Sequence, residues 1–402
     1  MKILAIANAH ALAHVSRLLE IAKVLRERGH DILFAGHGKY LQVATWDGFA
    51  TQELPYISVA QVVSAIRSQK LWQLYPETQL RSFIEAELGL IETFRPDVIL
   101  LDNRITARTS AEKAGIRTAA VLNVHMSNHK RIPFMSASNV LGDWPLVRQI
   151  DAVENRIECA VYDKLVMGGL NRIRRQLSLK PLFAYEHEEA ELSFFADIPE
   201  FSPVQRLPAH ARYIGPLTWH NTLPAPACLN QLRPGQPTVY FSLGSEGLED
   251  LLPHLAQLAG EGIQVIVATG AATLAQDLKV PEGVFLEPYI NTERVLPLCH
   301  VVCCHGGNGT IYQALSFGLP IVVVATHEEQ YYGGKRVQQL ELGRAFRLKM
   351  VNKQGPQLIV QALREVLEDP GYGKRAQAFA NYLKPWQGAE TAATVIEAAQ
   401  YF

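Results

Sequence analysis

The chain has 402 residues, 48% of them hydrophobic and 19% charged, and a net charge of −1. That length accommodates two domains of ordinary size, and the composition is that of a globular protein. The balanced charge leaves no electrostatic footprint for nucleic acid, and no apolar run reaches the roughly 18 residues of a spanning helix.

From the N-terminus, Lys2 to Ala7 reads as a short apolar strand. Its core, Ile3 to Ala7, is too brief and lacks the cleavage pattern of a signal peptide. Val15 to Arg28 carries Leu18, Leu19, Ile21, Ala22 and Leu25 at helical spacing and stops at Gly29. Asp31 to Ala35 is a strand, Glu85 to Phe94 a helix, Asp97 to Leu101 a strand, Thr106 to Ala114 a helix and Thr118 to Leu122 a strand. Such alternation predicts an α/β domain with a parallel sheet covered on both faces.

Between Pro199 and Pro237 the pattern breaks, with prolines at 203, 208, 216, 224, 226 and 234. This is the expected linker region. Alternation then restarts, with strands at Thr238 to Ser242, Gln264 to Ala268, Val284 to Leu286, Val301 to Cys304 and Ile321 to Val324. The second half therefore predicts another doubly wound domain. Five cysteines without secretory spacing point to a reducing cytoplasm.

The densest signal runs from His305 to Gln330. His305-Gly306-Gly307-Asn308-Gly309-Thr310 joins a strand to a helix, and Gly318-Leu319-Pro320, an apolar strand and Glu329-Gln330 follow. A glycine-rich turn of this kind aims free backbone N–H groups and the positive end of a helix at a phosphate. Glu329 and Gln330, after the next strand, supply groups for hydroxyls near the same sheet edge. Phosphate and hydroxyl groups in one pocket are what a nucleotide sugar requires.

This segment resembles the nucleotide-sugar signature of the family 1 glycosyltransferases, the UDP-glycosyltransferase superfamily. In that family the histidine and the Ser/Thr of the motif contact the diphosphate, which implies His305 and Thr310, with Gly307, Asn308 and Gly309 between them. The closing acid and glutamine bind sugar hydroxyls, which implies Glu329 and Gln330. The chain departs from the plant form of the motif at Gln313, where a ribose-binding glutamate stands. It departs again at Gly333 and Gly334, where an asparagine is common. Tyr240-Phe241-Ser242-Leu243-Gly244-Ser245 resembles the family's Gly-Ser element near the diphosphate, which implies Ser242, Gly244 and Ser245. Glu287-Pro288-Tyr289-Ile290 resembles the segment bordering the base, which implies Tyr289 and Ile290.

Ala13-His14-Val15 and Arg28-Gly29-His30-Asp31 resemble the family's opening, where the histidine is the catalytic base, here His14. Arg95 to Asp102 resembles the strand whose final aspartate orients that histidine, here Asp102. The resemblance implies the GT-B fold, two doubly wound Rossmann-like domains facing a central cleft. The expected parts are an acceptor-binding domain over 1–215, a linker over 216–236, a nucleotide-sugar-binding domain over 237–385 and a C-terminal helix over 386–402 that returns to the first domain.

The chemistry follows from these assignments. A neutral imidazole accepts a proton near neutral pH, and a carboxylate on its other nitrogen fixes the tautomer. His10 is a nearby competitor for that role. N–H groups, Thr310, His305 and Ser242 or Ser245 would stabilise the departing diphosphate. With no Asp-x-Asp pair after a strand, the expectation is metal-independent, inverting transfer of a hexose, glucose from UDP-glucose, to a hydroxyl or amine of a small apolar acceptor such as a phenol. No cofactor is expected beyond the UDP-sugar donor. The rivals are a UDP-sugar epimerase of the same fold, a transferase acting on a lipid, and a non-catalytic UDP-sugar-binding protein. The expected state is a monomer or homodimer.

Remaining features read as follows. His10, Trp72, Phe83, His125, Met126 and Phe134 are candidate acceptor contacts, drawn from a set that also holds Trp46, Tyr75, Met135 and Trp144. Cys303 and Cys304 point to opposite faces of a strand, which argues against a metal cluster with Cys299 and His305. Glu186-His187-Glu188-Glu189 reads as a solvated acidic face. Lys130-Arg131 beside Pro133-Phe134-Met135 is a candidate membrane or lipid contact.

Overall fold

The structure is a computed structural model. It describes the chain apart from residues 59, 62–69, 135, 138–140, 142–143, 244–250, 270–279, 281, 288 and 400–402. The chain divides into two compact units, Met1–Leu217 with Gln387–Phe402, and Thr218–Trp386.

The first unit is built on a seven-stranded parallel sheet of order β3-β2-β1-β4-β5-β6-β7. Its strands are β1 Lys2–Asn8, β2 Asp31–His37, β3 Ala50–Glu53, β4 Val98–Asp102, β5 Arg117–Leu122, β6 Leu192–Phe195 and β7 Ala211–Tyr213. Ile3 to Ala7 and Val98 to Asp102 are buried throughout, which explains why they read as continuous apolar runs instead of alternating ones. The sheet grows outward from β1 to β3, then returns to place β4 on the other side of β1. Ala7 stands in register with Asp102, so the carboxyl ends of β1 and β4 meet at this reversal.

Helices α1 Leu12–Glu27, α2 Glu77–Phe94, α3 Ala107–Ala114, α4 Pro145–Tyr162 and α5 Gly168–Gln176 complete the unit. α1 buries Val15, Leu18, Leu19, Ile21, Ala22 and Leu25 and ends before Gly29 at φ +86°, a left-handed position that favours glycine. α2 starts eight residues earlier than its apolar spacing suggested, because its first two turns are mostly polar. Leu80, Phe83 and Ile84 still anchor it in a core with Ile105, Leu170 and Ile173.

The second unit carries a six-stranded parallel sheet of order β10-β9-β8-β11-β12-β13. Its strands are β8 Thr238–Ser242, β9 Gln264–Ala268, β10 Val284–Glu287, β11 Val301–Cys304, β12 Ile321–Ala325 and β13 Gly343–Arg347. Its helices include α6 Leu252–Gly260, α7 Asn308–Ser316, α8 Glu328–Gln339, α9 Gln357–Glu368 and α10 Pro370–Leu383. This sheet also reverses beside its first strand, with β9 on one side of β8 and β11 on the other. Cys304 is in register with Ser242, which aligns the carboxyl ends of the two strands.

The last helix, α11 Gly388–Ala398, belongs to the first unit and packs on α1. Arg28 reaches Glu397 at 2.6 Å and Glu390 at 2.5 Å, and His30 reaches Glu397 at 2.8 Å.

Two glycines at the β11–α7 turn differ in what they permit. Gly306 has φ +99°, and a Cβ there would lie 2.6 Å from the Gln330 carbonyl oxygen and 2.7 Å from Val323. A Cβ on Gly309 would meet nothing within 4 Å. Gly306→Ala should therefore lower unfolding free energy by about 2–3 kcal/mol in urea denaturation, whereas Gly309→Ala should change it by under about 1 kcal/mol. Equal effects would show that the turn is not held by this close approach.

Candidate functional site

In the first unit the reversal point carries a charged cluster. His14, in the first turn of α1, puts Nδ1 2.7 Å from Oδ1 of Asp102, the last residue of β4. Asp102 is fully buried, and about a fifth of the His14 side chain is exposed. A contact that short to a carboxylate requires the proton on Nδ1, which leaves Nε2 as the basic nitrogen.

Arg17 is the residue that sequence reasoning missed. Its Nε donates to Asp102 Oδ2 at 2.8 Å and its Nη2 to Oδ1 at 2.7 Å, a bidentate grip. Burial alone would depress the Arg17 guanidinium, but Asp102, Asp197 and Glu188 hold it above its ordinary pKa. Arg17 Nη1 also donates to the Asn123 side chain, which in turn donates to Asp197 at 3.2 Å. Asp197 accepts further bonds from Val124 N at 2.8 Å and Ser202 Oγ at 3.1 Å. Buried groups at the ends of β4, β5 and β6 are thus linked in one network. Arg17 sits three residues after His14, on the same helix face, and that spacing was the available signal.

His10 is differently placed. Its Nε2 lies 2.6 Å from the Ile57 carbonyl oxygen, and its ring packs near Tyr56 and His37. Burial is the main cause that lowers its pKa, so it stays neutral with one nitrogen already engaged.

The acceptor candidates divide by burial. Trp72 is 56% exposed, and Met126 and Phe134 are half-buried. Phe83 is a core residue of the α2 cluster and lies against Tyr56 and the Arg104 guanidinium, which itself is buried on Glu87 at 2.6 Å. That packing makes Phe83 a support and not a lining residue. His125 is also buried, with its ring 6.1 Å from that of Phe134. Met135 lies outside the described residues.

Two surface expectations are corrected. His187, Glu188 and Glu189 are buried, because specific partners take up the charges. Glu188 accepts from Asn103 at 2.8 Å, and Glu189 lies between the Nε2 atoms of His129 at 3.2 Å and His210 at 3.0 Å. Burial would raise the Glu189 carboxyl, but the two imidazoles hold it below the usual range. Among the described residues, His129, Glu189 and His210 are the one group with metal-ligand spacing. Lys130 is likewise buried, in an ion pair with Glu158 at 2.7 Å and over the rings of Phe134 and Tyr185. It is therefore not a surface cation.

In the second unit the reversal point carries the glycine-rich turn. His305 follows β11 directly, and its ring covers Gly307, where a Cβ would lie 2.7 Å from Nε2. Gly307 is the N-cap of α7 and supplies no side-chain cap. The N–H groups of Asn308, Gly309 and Thr310 thus form a helix terminus whose positive end suits an anion. Ser242 ends β8 one strand away, while Gly244 and Ser245 lie outside the described residues.

Gln313 ties α7 to the segment expected to border the base. Its amide nitrogen donates to Thr292 Oγ1 at 2.7 Å and to the Trp219 carbonyl at 3.3 Å. Ile290 is buried and its carbonyl accepts from Asn221 at 3.1 Å; Tyr289 beside it is half-buried, with its phenol raised by burial. At the first turn of α8, Glu329 is exposed and Gln330 is buried. The Gln330 side-chain amide oxygen, Oε1, accepts from both N and Oγ1 of Thr326 at 2.9 Å. Gly333 and Gly334 allow α8 to approach closely, since a Cβ on either would fall within 2.9 Å of Ile311 or Val323.

These features have counterparts in known proteins. Residues 249–397 match the family described as Erythromycin biosynthesis protein CIII-like, C-terminal domain. A PGL/p-HBAD biosynthesis glycosyltransferase of Mycobacterium tuberculosis (strain ATCC 25177 / H37Ra) is 27% identical over 392 residues, 96% of this chain and 89% of that protein. A PGL/p-HBAD biosynthesis rhamnosyltransferase of Mycobacterium bovis (strain BCG / Pasteur 1173P2) is 28% identical over 94% of this chain and 84% of its own length. A relative from the same strain named as inactive is 28% identical over 64% of this chain and 71% of its own. Among solved structures, the calicheamicin glycosyltransferase CalG4 superposes with TM-score 0.72 at 20% identity, covering 98% of this chain and 97% of that one. The glycosyltransferase VinC, in complex with dTDP, superposes with TM-score 0.70 at 18% identity over both full chains.

Removing Arg17 should expose its role in the cluster. Arg17→Met leaves a buried carboxylate with one partner fewer, and unfolding free energy should fall by about 3–5 kcal/mol in urea denaturation. A loss below about 1 kcal/mol would mean that Asp102 does not depend on the guanidinium.

Proposed function

We propose that the chain, which has the GT-B fold, is a family 1 glycosyltransferase that transfers a hexose from a nucleoside diphosphate sugar to a hydroxyl of an apolar acceptor. The single observation that carries the proposal is the 2.7 Å contact of His14 Nδ1 with buried Asp102, which leaves Nε2 as a base.

The reaction is a direct displacement. The acceptor hydroxyl gives its proton to His14 Nε2 as its oxygen bonds to the anomeric carbon. The bond from that carbon to the diphosphate breaks, and the electron pair leaves with the diphosphate. Asp102 stabilises the imidazolium that forms. One displacement inverts the anomeric centre. The uncapped N-terminus of α7, Thr310, His305 and Ser242 receive the developing negative charge. This reading assigns the leaving group to protein donors and requires no metal, so a chelator should leave the rate unchanged.

Glucose from UDP is the first donor to test, because a carboxylate such as exposed Glu329 has the capacity to accept hydrogen bonds from two hydroxyls. One observation favours a second reading. The Gln330 side-chain Oε1 is already held by Thr326, so the pair offers the sugar fewer contacts than its sequence suggests. A site with fewer polar groups to satisfy tolerates a 6-deoxyhexose better. The rhamnosyltransferase relative and the dTDP complex of VinC support including such donors. The names of the mycobacterial relatives, which refer to PGL and p-HBAD biosynthesis, support phenolic and lipid-linked acceptors.

The test incubates the protein with UDP-glucose, UDP-N-acetylglucosamine and dTDP-rhamnose against a panel of phenols, read by mass spectrometry. Acceptor-free turnover of UDP-N-acetylglucosamine would indicate an epimerase. Nucleotide binding without any product would indicate a binding protein.

His14→Ala should lower kcat by roughly 10²–10⁴-fold while leaving UDP affinity within about twofold, measured by calorimetry. Parallel loss of both would contradict the role as base. Thr310→Ala should instead weaken UDP and slow turnover together.

A further inference from the structure

Helix α4 is inverted in its amphipathicity. Its face toward the protein carries Val147, Asp151, Asn155 and Cys159, all buried. Its opposite face presents Leu146, Ile150, Val153, Ile157 and Val161 to solvent, with Trp144 just before the first turn. These six are among the fourteen exposed large apolar side chains of the described residues, and they sit within 18 positions of one another. Leu146 and Trp144 are exposed by 69% and 67%. Apolar side chains clustered on one exposed face mark an interaction surface, unlike the single ones scattered over an ordinary monomer.

Polar partners explain the inward face. Ser136 Oγ donates to Asp151 at 2.9 Å, and Asn155 Nδ2 donates to the Asn128 and Lys130 carbonyls at 3.2 and 3.4 Å. Glu154 accepts from Ala137 N at 3.0 Å, and Glu158 pairs with buried Lys130. The acids of this helix are thereby drawn toward the protein. Among described residues 144–164, Arg148, Arg156 and Lys164 are exposed, whereas Glu154, Glu158 and Asp163 are half-buried.

We propose that α4 is a membrane-docking helix, lying in the interface of an anionic lipid bilayer with its apolar face immersed and Arg156 and Lys164 at the headgroups. An apolar stripe flanked by basic residues, with a tryptophan at one end, has the chemistry of an interfacial helix. No described helix is long and apolar enough to cross a membrane, so the contact lies along the surface. The basic rim decides between a bilayer and a second copy of this chain. Two such faces would bring like charges together, whereas anionic headgroups complement them.

The position of α4 gives the docking a use. Cys159 and Tyr162 pack with Met126, Ala184 and Tyr185, and Asn155 holds the loop that begins at Asn123. Asn123 bonds to Arg17, which grips Asp102. A bilayer against α4 would therefore lie one loop from the proposed base and would present acceptors dissolved in lipid. Bilayer binding does not depend on sugar transfer, so its failure would leave the catalytic reading standing.

The experiment sediments the full chain with vesicles of phosphatidylcholine alone or mixed with phosphatidylglycerol. The protein should pellet with the mixed vesicles and release as salt rises. Ile150→Glu/Ile157→Glu should weaken binding at least tenfold, and Arg156→Glu by roughly tenfold, with circular dichroism and UDP affinity unchanged. Protein that stays in the supernatant with both vesicles would overturn the proposal. So would equal binding to neutral vesicles, or a dimer in sedimentation velocity that the double variant converts to monomer.

Discussion

A parallel sheet grown from a central first strand must reverse its direction of growth once, and the reversal separates two loops that would otherwise cover each other. Both sheets of this protein reverse beside their first strand, at β1/β4 and at β8/β11. In parallel sheets the loops leaving the two strand ends at such a reversal diverge to opposite faces and open a crevice at the carboxyl edge. The polar residues to which we assign a chemical task sit at these two places. His14 and Asp102 flank the first reversal, and Ser242, His305 and the N-terminus of α7 flank the second. The central strands β1, β4, β11 and β12 are otherwise apolar and buried, so they leave few other positions where a charge can meet a substrate.

Placing a carboxylate at such an edge creates its own difficulty. Asp102 has no solvent exposure, and an isolated charge there would be strongly disfavoured. Arg17 answers with a bidentate grip, and Asn123 and Asp197 extend the compensation to β5 and β6. The arrangement differs from a simple imidazole–carboxylate pair. The carboxylate is fixed by the arginine whether or not the imidazole is present, so His14 meets a preoriented partner. Rigidity of this kind would serve the proposed base, because the acceptor for the Nδ1 proton need not reorganise as charge develops.

Much of this was legible in the sequence because burial on both faces leaves an unambiguous mark. Val98 to Leu101 and Ile321 to Val324 are apolar runs bounded by turn residues, and they form strands β4 and β12 with those residues at their centre. The glycine-rich turn was legible because its glycines are enforced by backbone contact at Gly306. The short edge strands were not. β7 has three residues and β13 reads Gly-Arg-Ala-Phe-Arg, patterns that many loops share. Arg17 escaped because an arginine on a helix usually faces water, and nothing local reveals that its target arrives 85 positions later. Glu188 and Glu189 were misread for the same reason: their partners, Asn103, His129 and His210, are distant in sequence.

Helix α4 shows a different limit. Its apolar residues recur at helical spacing, which ordinarily identifies the buried face. Here that rule selects the wrong side, because the loop beneath the helix offers backbone carbonyls and a serine that suit Asp151 and Asn155 better than any aliphatic side chain. The protein-facing side satisfies hydrogen bonds, and the outward side is left with the hydrophobic energy unspent. Periodicity reports that a helix has an apolar face, and only the surroundings report whether the protein itself covers it. An outward apolar face persists at a cost in solubility unless another phase covers it. Along 144–164 the acids are more deeply set than Arg156 and Lys164, which is the charge balance that suits the anionic bilayer proposed above.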